Sequence, residues 1–215
     1  MLFNRSVPYT FQQLLQKVTP QSAAQPEVVP AVMFDTQLYT SASTTLLTFF
    51  NGGQTDASLS NVPNGGNLPQ PQYFEIQRVF CEVLGRPTVS AAAATIPAAG
   101  SVDDVNQLIV SGRGYATFTL SSKAFPSIPL SFIGAPGGVD GSVMAALSGT
   151  TAGAASQVKE YGHNAGNGGF PVNGQWIIPP AQSFSAVIQW PAALTLTGNL
   201  YIRLSLLGNL YRRVT

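Results

Sequence analysis

Charged side chains are scarce in this chain of 215 residues, where Asp, Glu, Lys and Arg together make up 9% of the sequence. Soluble domains usually contain roughly 25%. A free monomer relies on surface charge for solubility, and the centres of protein interfaces are depleted in charge. The deficit therefore predicts a chain with little free surface in its working state. The alternative is a secreted β-protein that hydroxyl and amide groups keep in solution.

The positive charge is too small and too scattered for a protein that binds nucleic acid. The formal net charge is +1, and the only adjacent basic residues are Arg212 and Arg213. A basic arm or stripe that could neutralise a run of phosphates is missing. We therefore expect no direct, sequence-specific binding of nucleic acid.

Cysteine and histidine each occur once, which leaves little material for a metal centre or a catalytic triad. Cys81 lies in an apolar run and is predicted to be a buried structural thiol without a disulfide partner. His163 has no second histidine or cysteine near it, so we interpret it as a plain loop residue. A glycosidase pair would have to come from Glu75 and Glu82, whose odd spacing predicts opposite faces of one strand. We expect no enzymatic activity, no metal and no cofactor.

Export and membrane signals are also missing from the sequence. The N-terminal "MLFNRSVPYTFQQLLQKVTP" lacks the continuous apolar core of a signal peptide. The longest stretch of low polarity, "VSAAAATIPAAG", is too short to span a membrane and is interrupted by Pro97. We expect a soluble chain made in the cytoplasm of its host cell.

Residues 1–30 are predicted to form an N-terminal arm. In this arm, "TFQQLLQKV" (10–18) has the spacing of a short amphipathic helix, and a proline-punctuated linker follows over residues 20–30. The apolar face of the helix either contacts neighbouring subunits or packs on the chain's own domain. It consists of Phe11, Leu14, Leu15 and Val18.

From Ala31 onward the sequence predicts antiparallel β-structure. The predicted strands cover Thr44–Phe50, Tyr73–Leu84, Gly114–Leu120, 125–133, Ser183–Trp190 and 200–207. A Gly208-Asn209 turn is predicted to lead into a last short strand, and a second short helix is predicted over 101–109. About eight strands, two short helices and no βαβ order favour an all-β sandwich or barrel, and the jelly roll accommodates long loops well.

A glycine-rich insertion is predicted over residues 134–175. Irregular connections of this length in compact domains are usually functional or disordered. Trp176 follows the insertion and is predicted to be exposed, where it could stack on a sugar. Trp190 belongs to the apolar face of its strand and is predicted to lie in the core.

The strand over residues 183–190 has an apolar face and an uncharged polar face. Phe184, Ala186, Ile188 and Trp190 alternate with Ser183, Ser185, Val187 and Gln189. Asp, Glu, Lys and Arg are all absent from Tyr161 through Ile202. Because hydroxyl and amide groups are cheaper to desolvate than charges, we predict that a neighbouring molecule covers the polar face.

Four stretches of the sequence show a resemblance to a known family. They are "FDTQLYTSASTTLLTFFN" (34–51), "GNLPQPQYFEIQRV" (66–79), "FPSIPLSFIGAP" (125–136) and "IIPPAQSFSAVIQWPAALTLTGNLYIRLSLLGNLYRRVT" (177–215). In texture and element order, residues 31–215 resemble the jelly-roll capsid proteins of tailless icosahedral bacteriophages, including lipid-containing ones. The resemblance implies one jelly-roll domain over 31–215, with the 134–175 insertion facing outward or lying between subunits.

The resemblance also implies a structural function in the virion. The chain is expected to be the major capsid subunit and to assemble with copies of itself into trimeric, pentameric or hexameric capsomers. Other virion proteins and an internal membrane are the further partners that the family implies. The missing basic arm favours a shell separated from its genome. The alternatives are a carbohydrate-binding β-sandwich of a phage spike or tail, using Trp176, and a minor vertex protein.

Overall fold

The backbone forms two antiparallel sheets with an apolar core between them, which confirms the predicted all-β class. The computed structural model describes residues 26–52, 54, 56–62, 66–84, 104–105, 107–133, 143–144, 158–159, 169–196 and 198–213. The strands in these ranges are β1 (Pro26–Tyr39), β2 (Leu46–Phe49), β3 (Tyr73–Leu84), β4 (Tyr115–Leu120), β5 (Lys123–Ala124), β6 (Ile128–Pro129), β7 (Val143–Met144), β8 (Val158–Lys159), β9 (Phe170–Ile178), β10 (Phe184–Gln189) and β11 (Leu200–Arg213).

Each sheet pairs strands from opposite halves of the chain. One sheet has the order β1-β11-β3-β9, and the other has the order β2-β10-β4-β5 with β6 also paired to β4. The antiparallel pairs are nested: β1 pairs with β11, β2 with β10, β3 with β9, and β4 with β5 and β6. Within the described ranges, strands β7 and β8 pair with each other. The strands of the first half of the chain therefore pair with those of the second half in reverse order.

The register defines two ends of the sandwich. At the end that we call the loop end, Tyr39 lies opposite Leu200, and Tyr201 lies opposite Leu84. Strand β3 ends and β4 begins at the loop end, whereas β9 starts opposite Val79 in the middle of β3 and runs toward the terminal end. At the opposite end, the terminal end, Pro26 lies opposite Arg213. The last six residues of the predicted 134–175 insertion belong to β9 instead.

The predicted core face of β10 is confirmed. Phe184, Ala186 and Ile188 are buried, and Trp190 directly after the strand is 1% exposed. The Trp190 indole Nε1 donates to the Leu108 carbonyl oxygen at 3.0 Å. Its ring also meets Tyr39 edge-on, with 5.0 Å between the ring centroids. Trp190 thus connects the end of β10 to Tyr39 of the other sheet and to Leu108.

Strand β11 is continuous, so the predicted turn at Gly208-Asn209 is wrong. The strand extends from Leu200 to Arg213, and its register with β3 shifts at Leu207/Gly208. The extra residue is Gln77 on β3, where a β-bulge forms. Gly208 is buried there, and a Cβ atom at this position would collide with the Glu75 carbonyl oxygen. Glycine is therefore required by close approach of two backbones and not by a turn.

We expect Gly208→Ala to lower the free energy of unfolding by about 2 kcal/mol, because overpacking next to rigid backbone typically costs roughly 1–3 kcal/mol. Gly198→Ala is the matched control, since a Cβ there meets nothing within 4 Å. Urea unfolding followed by circular dichroism measures both. Equal stability of the two variants would contradict the bulge.

Strand β1 starts five residues before the predicted domain boundary, so residues 26–30 pair with β11 and are not linker. The backbone groups of Val32 and Phe34 that point away from β11 bind the Asn61 side chain. Because backbone direction alternates along a strand, the nitrogen atoms of Pro26 and Pro30 also point away from β11. A proline N has no hydrogen to leave unpaired, so these positions suit the free edge of a sheet.

One other predicted element is shorter in the structure than the sequence indicates. Within 125–133 only Ile128–Pro129 is a strand, and a single 3₁₀ turn, Leu130–Phe132, follows it. Pro126 and Pro129 lack the amide hydrogens that a longer strand would use. Within the helix predicted over 101–109, residues 104–105 are α-helical, and a π-helical turn, Gln107–Ser111, follows. None of the helical segments in the described ranges is long and apolar enough to cross a membrane.

Candidate self-association surface

The outer face of the β2-β10-β4 sheet carries no ionised side chain among its described residues. Burial alternates along all three strands, so every second side chain points away from the core. We call this surface the uncharged face. It consists of Leu46, Thr48, Tyr115, Thr117, Thr119, Ser185, Val187 and Gln189.

The register arranges the uncharged face in rows across the strands. Val187 is at the centre, directly opposite Thr48 on one side and Thr117 on the other. The next row, toward the loop end, has Gln189 between Leu46 and Tyr115. Adjacent strands lie roughly 4.8 Å apart, so the rows form a continuous surface of methyl, hydroxyl and amide groups.

Two side chains border the uncharged face. Lys123 on β5 lies near its edge, and the ammonium nitrogen is 5.6 Å from the centroid of the Phe125 ring. At the loop end, Pro129 lies opposite Tyr115, and Phe132 follows three residues later with 66% of its surface exposed. Leu46, at the other side of the same row, is 50% exposed. The loop-end row of the uncharged face therefore ends in an exposed apolar side chain, Leu46.

The outer face of the other sheet differs because it carries charged side chains. We call it the charged face, because Glu75, Arg78, Glu82 and Arg203 lie on it. Arg203 lies directly opposite Glu82, and its guanidinium carbon is 4.6 Å from the centroid of the Phe34 ring. The same guanidinium donates to Thr36 Oγ1 at 3.0 Å and to the Ser58 carbonyl oxygen at 2.9 Å. The chain's own groups therefore already hold this cation.

Glu75 is a structural partner of Tyr211. The Tyr211 hydroxyl donates to Glu75 Oε2 at 2.7 Å. Burial, with the hydrogen bond to Glu75 and its negative charge, raises the pKa of Tyr211. The tyrosine ring is 1% exposed and packs with Val28, Tyr73 and Ile177. Through these contacts, Glu75 stabilises the packing of Tyr211 at the terminal end.

Glu75 and Glu82 share a face, so their predicted placement on opposite faces is wrong. The bulge at Gln77 switches the alternation of β3 between them. Their partners on β11, Asn209 and Arg203, are six residues apart, which corresponds to roughly 20 Å. Glycosidase carboxyl groups lie within about 9.5 Å of each other. The two carboxylates are therefore too far apart to act on one glycosidic bond.

Trp176 is a core residue, and the prediction that it is exposed is wrong. It is 9% exposed and lies directly opposite the buried Ile76. Its ring centroid is 5.1 Å from that of Phe118 and 4.5 Å from that of Phe125. The period-two relation to the buried Ile178 was the sequence signal for this placement. A sugar platform at this position depends on an exposed Trp176 ring, and the ring is buried.

Several residues singled out in the sequence lie outside the described residues. They are His163 and the apolar side chains of the arm, Phe11, Leu14, Leu15 and Val18. Their roles stay predictions. Sequence reasoning also missed Leu46 and Phe132, although Leu46 is out of phase with the buried Leu47 and Phe49.

Cys81 is confirmed as a buried thiol, with 3% of its surface exposed. Burial, with a smaller contribution from the negative charge of Glu82, raises its pKa from 9.0 to about 12. Since the thiolate is the reactive form, we expect no labelling by a thiol reagent at pH 8 in the folded chain. One equivalent should react in denaturant. Rapid labelling of the folded chain would contradict the burial of Cys81.

The same burial predicts a loss of stability in alkali. The folded pKa of Cys81 is raised, so its contribution is complete below pH 9.0 and is lost as the pH rises toward 12. The slope is about 1.4 kcal/mol per pH unit for one group. Burial also raises the pKa of Tyr39. Urea midpoints at pH 8 and pH 10.5 measure the effect, which Cys81→Ala should reduce; unchanged midpoints would contradict it.

No family model, no curated protein and no solved structure matches this chain. Among the described residues, His, Cys, Asp and Glu side chains form no group of three or more that could hold a metal ion. The surface with the clearest chemical character in the described part of the chain is the uncharged face.

Proposed function

We propose that this chain is a structural virion protein, the major capsid subunit of a tailless icosahedral bacteriophage, and that its activity is self-assembly. The single observation that carries the proposal is the contrast between the uncharged face and the charged face. In the proposed virion, copies of the chain form capsomers, and other virion proteins and an internal membrane are its further partners.

The nested strand pairing supports a jelly roll as the finer description of the fold. A jelly roll results when one long antiparallel hairpin of eight strands wraps into two sheets. The pairs β1-β11, β2-β10 and β3-β9, with β4 against β5 and β6, have the nesting that this wrapping produces. Jelly rolls occur in viral capsid and lectin domains. The burial of Trp176 favours the capsid interpretation over the lectin one.

The chemistry of the uncharged face supports burial against another protein. Hydroxyl and amide groups lose less free energy than charged groups when they leave water, and they can exchange water for partner hydrogen bonds. The centres of protein interfaces are depleted in charge. A face of Thr, Ser, Val and Gln is therefore compatible both with a soluble subunit and with a buried contact.

The two ends of the sandwich support an oriented subunit. The predicted arm joins the sheet at Pro26 at the terminal end, while β3 ends and β4 begins at the loop end. In a shell whose subunits stand upright, one end of the sandwich faces outward and the other inward. We propose that the insertion forms outward or inter-subunit contacts and that the arm binds neighbouring subunits.

The purified chain tests this function directly. Light scattering and negative-stain microscopy at rising protein concentration should show oligomers of three, five or six copies, or closed shells. A monomer that persists at about 1 mM, where even weak contacts are populated, would contradict the proposal. Copy number in purified particles separates a major coat protein from a minor vertex protein.

Assembly should depend only weakly on salt. Screening of exposed charges increases strongly between about 0.05 M and 0.5 M NaCl, but an interface without charges has little to screen. We expect the concentration at which assembly begins to change by less than about threefold over this range. Light scattering measures it, and loss of assembly at 0.5 M NaCl would show that charged contacts dominate.

A further inference from the structure

We infer that Gln54, Ser60 and Asn61 close one edge of β1 and so prevent strand pairing between copies of this chain. We call these three residues the edge cap. The edge concerned is the side of β1 that faces away from β11, and the partner that it would otherwise take is the same edge of a second copy. The inference goes beyond the proposed function, because it applies to the single chain in solution.

An open edge on β1 would be a site for pairing with another strand. Strand β1 has 14 residues and stands at the end of the order of its sheet. On this strand Val32 is 46% exposed and Leu38 is 42% exposed. A long edge strand with exposed apolar side chains is a template for pairing with another chain. Two identical edges fit each other in antiparallel alignment, since each brings the same donors and acceptors. A second copy of β1 is therefore the partner against which this edge needs protection.

Asn61 takes the place of a neighbouring strand. Its Oδ1 accepts the Phe34 amide hydrogen at 2.7 Å, and its Nδ2 donates to the Val32 carbonyl oxygen at 2.7 Å. The Asn61 backbone amide donates to the Phe34 carbonyl oxygen at 3.2 Å, and Ser60 Oγ donates to the same oxygen at 3.3 Å. A side-chain amide carries a donor and an acceptor, as a peptide group does. Asn61 therefore makes the bonds that an adjacent strand would make.

The closure continues to Thr36. Gln54 Nε2 donates to the Thr36 carbonyl oxygen at 3.2 Å, and Asp35 Oδ1 accepts the Thr36 amide hydrogen at 3.0 Å. From the Val32 carbonyl to the Thr36 carbonyl, each backbone group that faces away from β11 is bonded within the chain. Toward the terminal end, Pro30 has no amide hydrogen to offer. A second strand would have to displace these bonds in order to pair here.

The turn before the edge cap is held in place by the outer face of the sheet. Arg203 Nη2 donates to the Ser58 carbonyl oxygen at 2.9 Å. Asp56 Oδ1 accepts the Ser58 amide hydrogen at 2.8 Å, and the Asp56 carbonyl oxygen accepts the Ser60 amide hydrogen at 3.0 Å. These bonds position Ser60 and Asn61 beside β1. The edge cap is therefore part of the folded domain and needs no second chain to form.

Asn61→Ala and Asn61→Lys test the inference as a pair. Both substitutions remove the same two side-chain bonds to β1. Alanine leaves the edge open and uncharged, whereas lysine places a charge there, which opposes pairing between edges. We expect Asn61→Ala to form dimers or larger species at a concentration at least about tenfold below that at which the unmodified chain associates. Asn61→Lys should stay monomeric there.

Size-exclusion chromatography with light scattering measures the association of each variant. Ser58→Ala is the matched control, because the Ser58 hydroxyl donates to Asp56 and not to β1. It should stay monomeric like the unmodified chain. Thermal unfolding shows that each variant is folded, and the two Asn61 variants should have similar melting temperatures because they lose the same bonds.

Hydrogen exchange at the Phe34 amide reports on the edge cap in the unmodified chain. Because Asn61 Oδ1 accepts this hydrogen, we expect slow exchange, which should become about tenfold faster in both Asn61 variants. Exchange as fast as that of an open amide in the unmodified chain would overturn the inference, even if Asn61→Ala does not fold.

Two association results would also overturn the inference. One is a folded Asn61→Ala that stays monomeric at every concentration at which the unmodified chain does. The other is equal association of Asn61→Lys, since loss of stability and not an open edge would then be the cause. Failure of the unmodified chain to assemble would contradict the proposed function alone, because the edge cap is measured on the monomer.

Discussion

Asp35→Asn is expected to lower the free energy of unfolding by about 3 kcal/mol. Hydrogen bonds to a charged group contribute roughly 1.5–3 kcal/mol each, and a buried donor that loses its acceptor adds a desolvation cost. Asp35 is 2% exposed in the middle of β1. One carboxylate oxygen accepts the Thr36 amide at 3.0 Å. The other accepts the Phe50 amide at 2.6 Å and the Gln37 side-chain amide at 3.2 Å.

The geometry leaves no acceptable orientation for an asparagine. Asparagine has one acceptor oxygen and one NH₂ group, so either Thr36 N–H or Phe50 N–H would face a second donor. Phe50 also holds a positive φ of 62° at the end of β2, which is costly for a residue other than glycine. The hydrogen bond from the Phe50 amide to Asp35 stabilises this conformation and connects the two sheets. We therefore expect the strain to be released when the carboxylate is lost.

Asp56→Asn is the matched control, because both bonds to the exposed Asp56 side chain end on the same oxygen. Ser58 donates its amide and its hydroxyl to Oδ1, each at 2.8 Å. An asparagine oxygen can accept both, so we expect a change below about 0.5 kcal/mol. In thermal unfolding, Asp35→Asn should lower the midpoint by about 9 °C. A shift as small as that of the control would show that Asp35 does not hold the two sheets together.

The period-two alternation of apolar and polar residues was sufficient to predict the strands in which it continues from end to end. Strand β3 has the predicted bounds, Tyr73–Leu84, and β10 buries the predicted face of Phe184, Ala186 and Ile188. In these segments the period-two pattern and the β-branched and aromatic residues agree with the burial that the fold imposes. The absence of charge from Tyr161 through Ile202 likewise marked the strand at the centre of the uncharged face.

The errors fall where the structure depends on a partner strand. Gly208-Asn209 has the composition of a hairpin turn, but the bulge at Gln77 determines that a glycine must lie opposite it. The same bulge reverses the face of Glu82 relative to Glu75. Trp176 follows a glycine-rich segment and was predicted to be exposed, while its register with Ile76 buries it. Pairing over long sequence distances is invisible to local patterns.

The composition of the uncharged face also required the structure. Its residues come from three strands that are far apart in the sequence, and each strand supplies only two or three outward side chains. Lys123 on β5 and Arg113, two residues before β4, are exposed charges next to these strands. The low overall charge predicted an assembly, but only the sheet order shows which surface is free of charge.

Deletion of residues 1–25 should prevent assembly while leaving the domain folded. All strand pairs in the described ranges begin at or after Pro26, so the deletion removes none of them. If the arm binds neighbouring subunits, as we propose, assembly should require at least a tenfold higher concentration, a loss of about 1.4 kcal/mol or more per subunit. Circular dichroism should still show a β-protein that unfolds cooperatively.

Deletion of residues 1–30 is the informative comparison, because it also removes the first five residues of β1. Glu27 then no longer pairs with Arg212, whose Nε is 2.7 Å from its carboxylate, although this exposed ion pair contributes little. The larger loss is Val28, which packs on the buried Tyr211. We expect the longer deletion to lower the free energy of unfolding by about 3 kcal/mol more than the shorter one does. This corresponds to a melting temperature that is lower by roughly 9 °C.

The two deletions together separate assembly from folding. If the shorter deletion unfolds the chain, residues 1–25 belong to the core, and the arm is not a separate binding segment. If the shorter deletion assembles like the full chain, the contacts that build the shell come from the domain alone, and the uncharged face becomes their first candidate. If the longer deletion is as stable as the shorter one, the pairing of Pro26–Pro30 with β11 does not contribute to stability. The expected pattern is a folded chain that fails to assemble and a second deletion with a lower melting temperature. It follows only when the arm ends where the pairing of β1 with β11 begins, at Pro26.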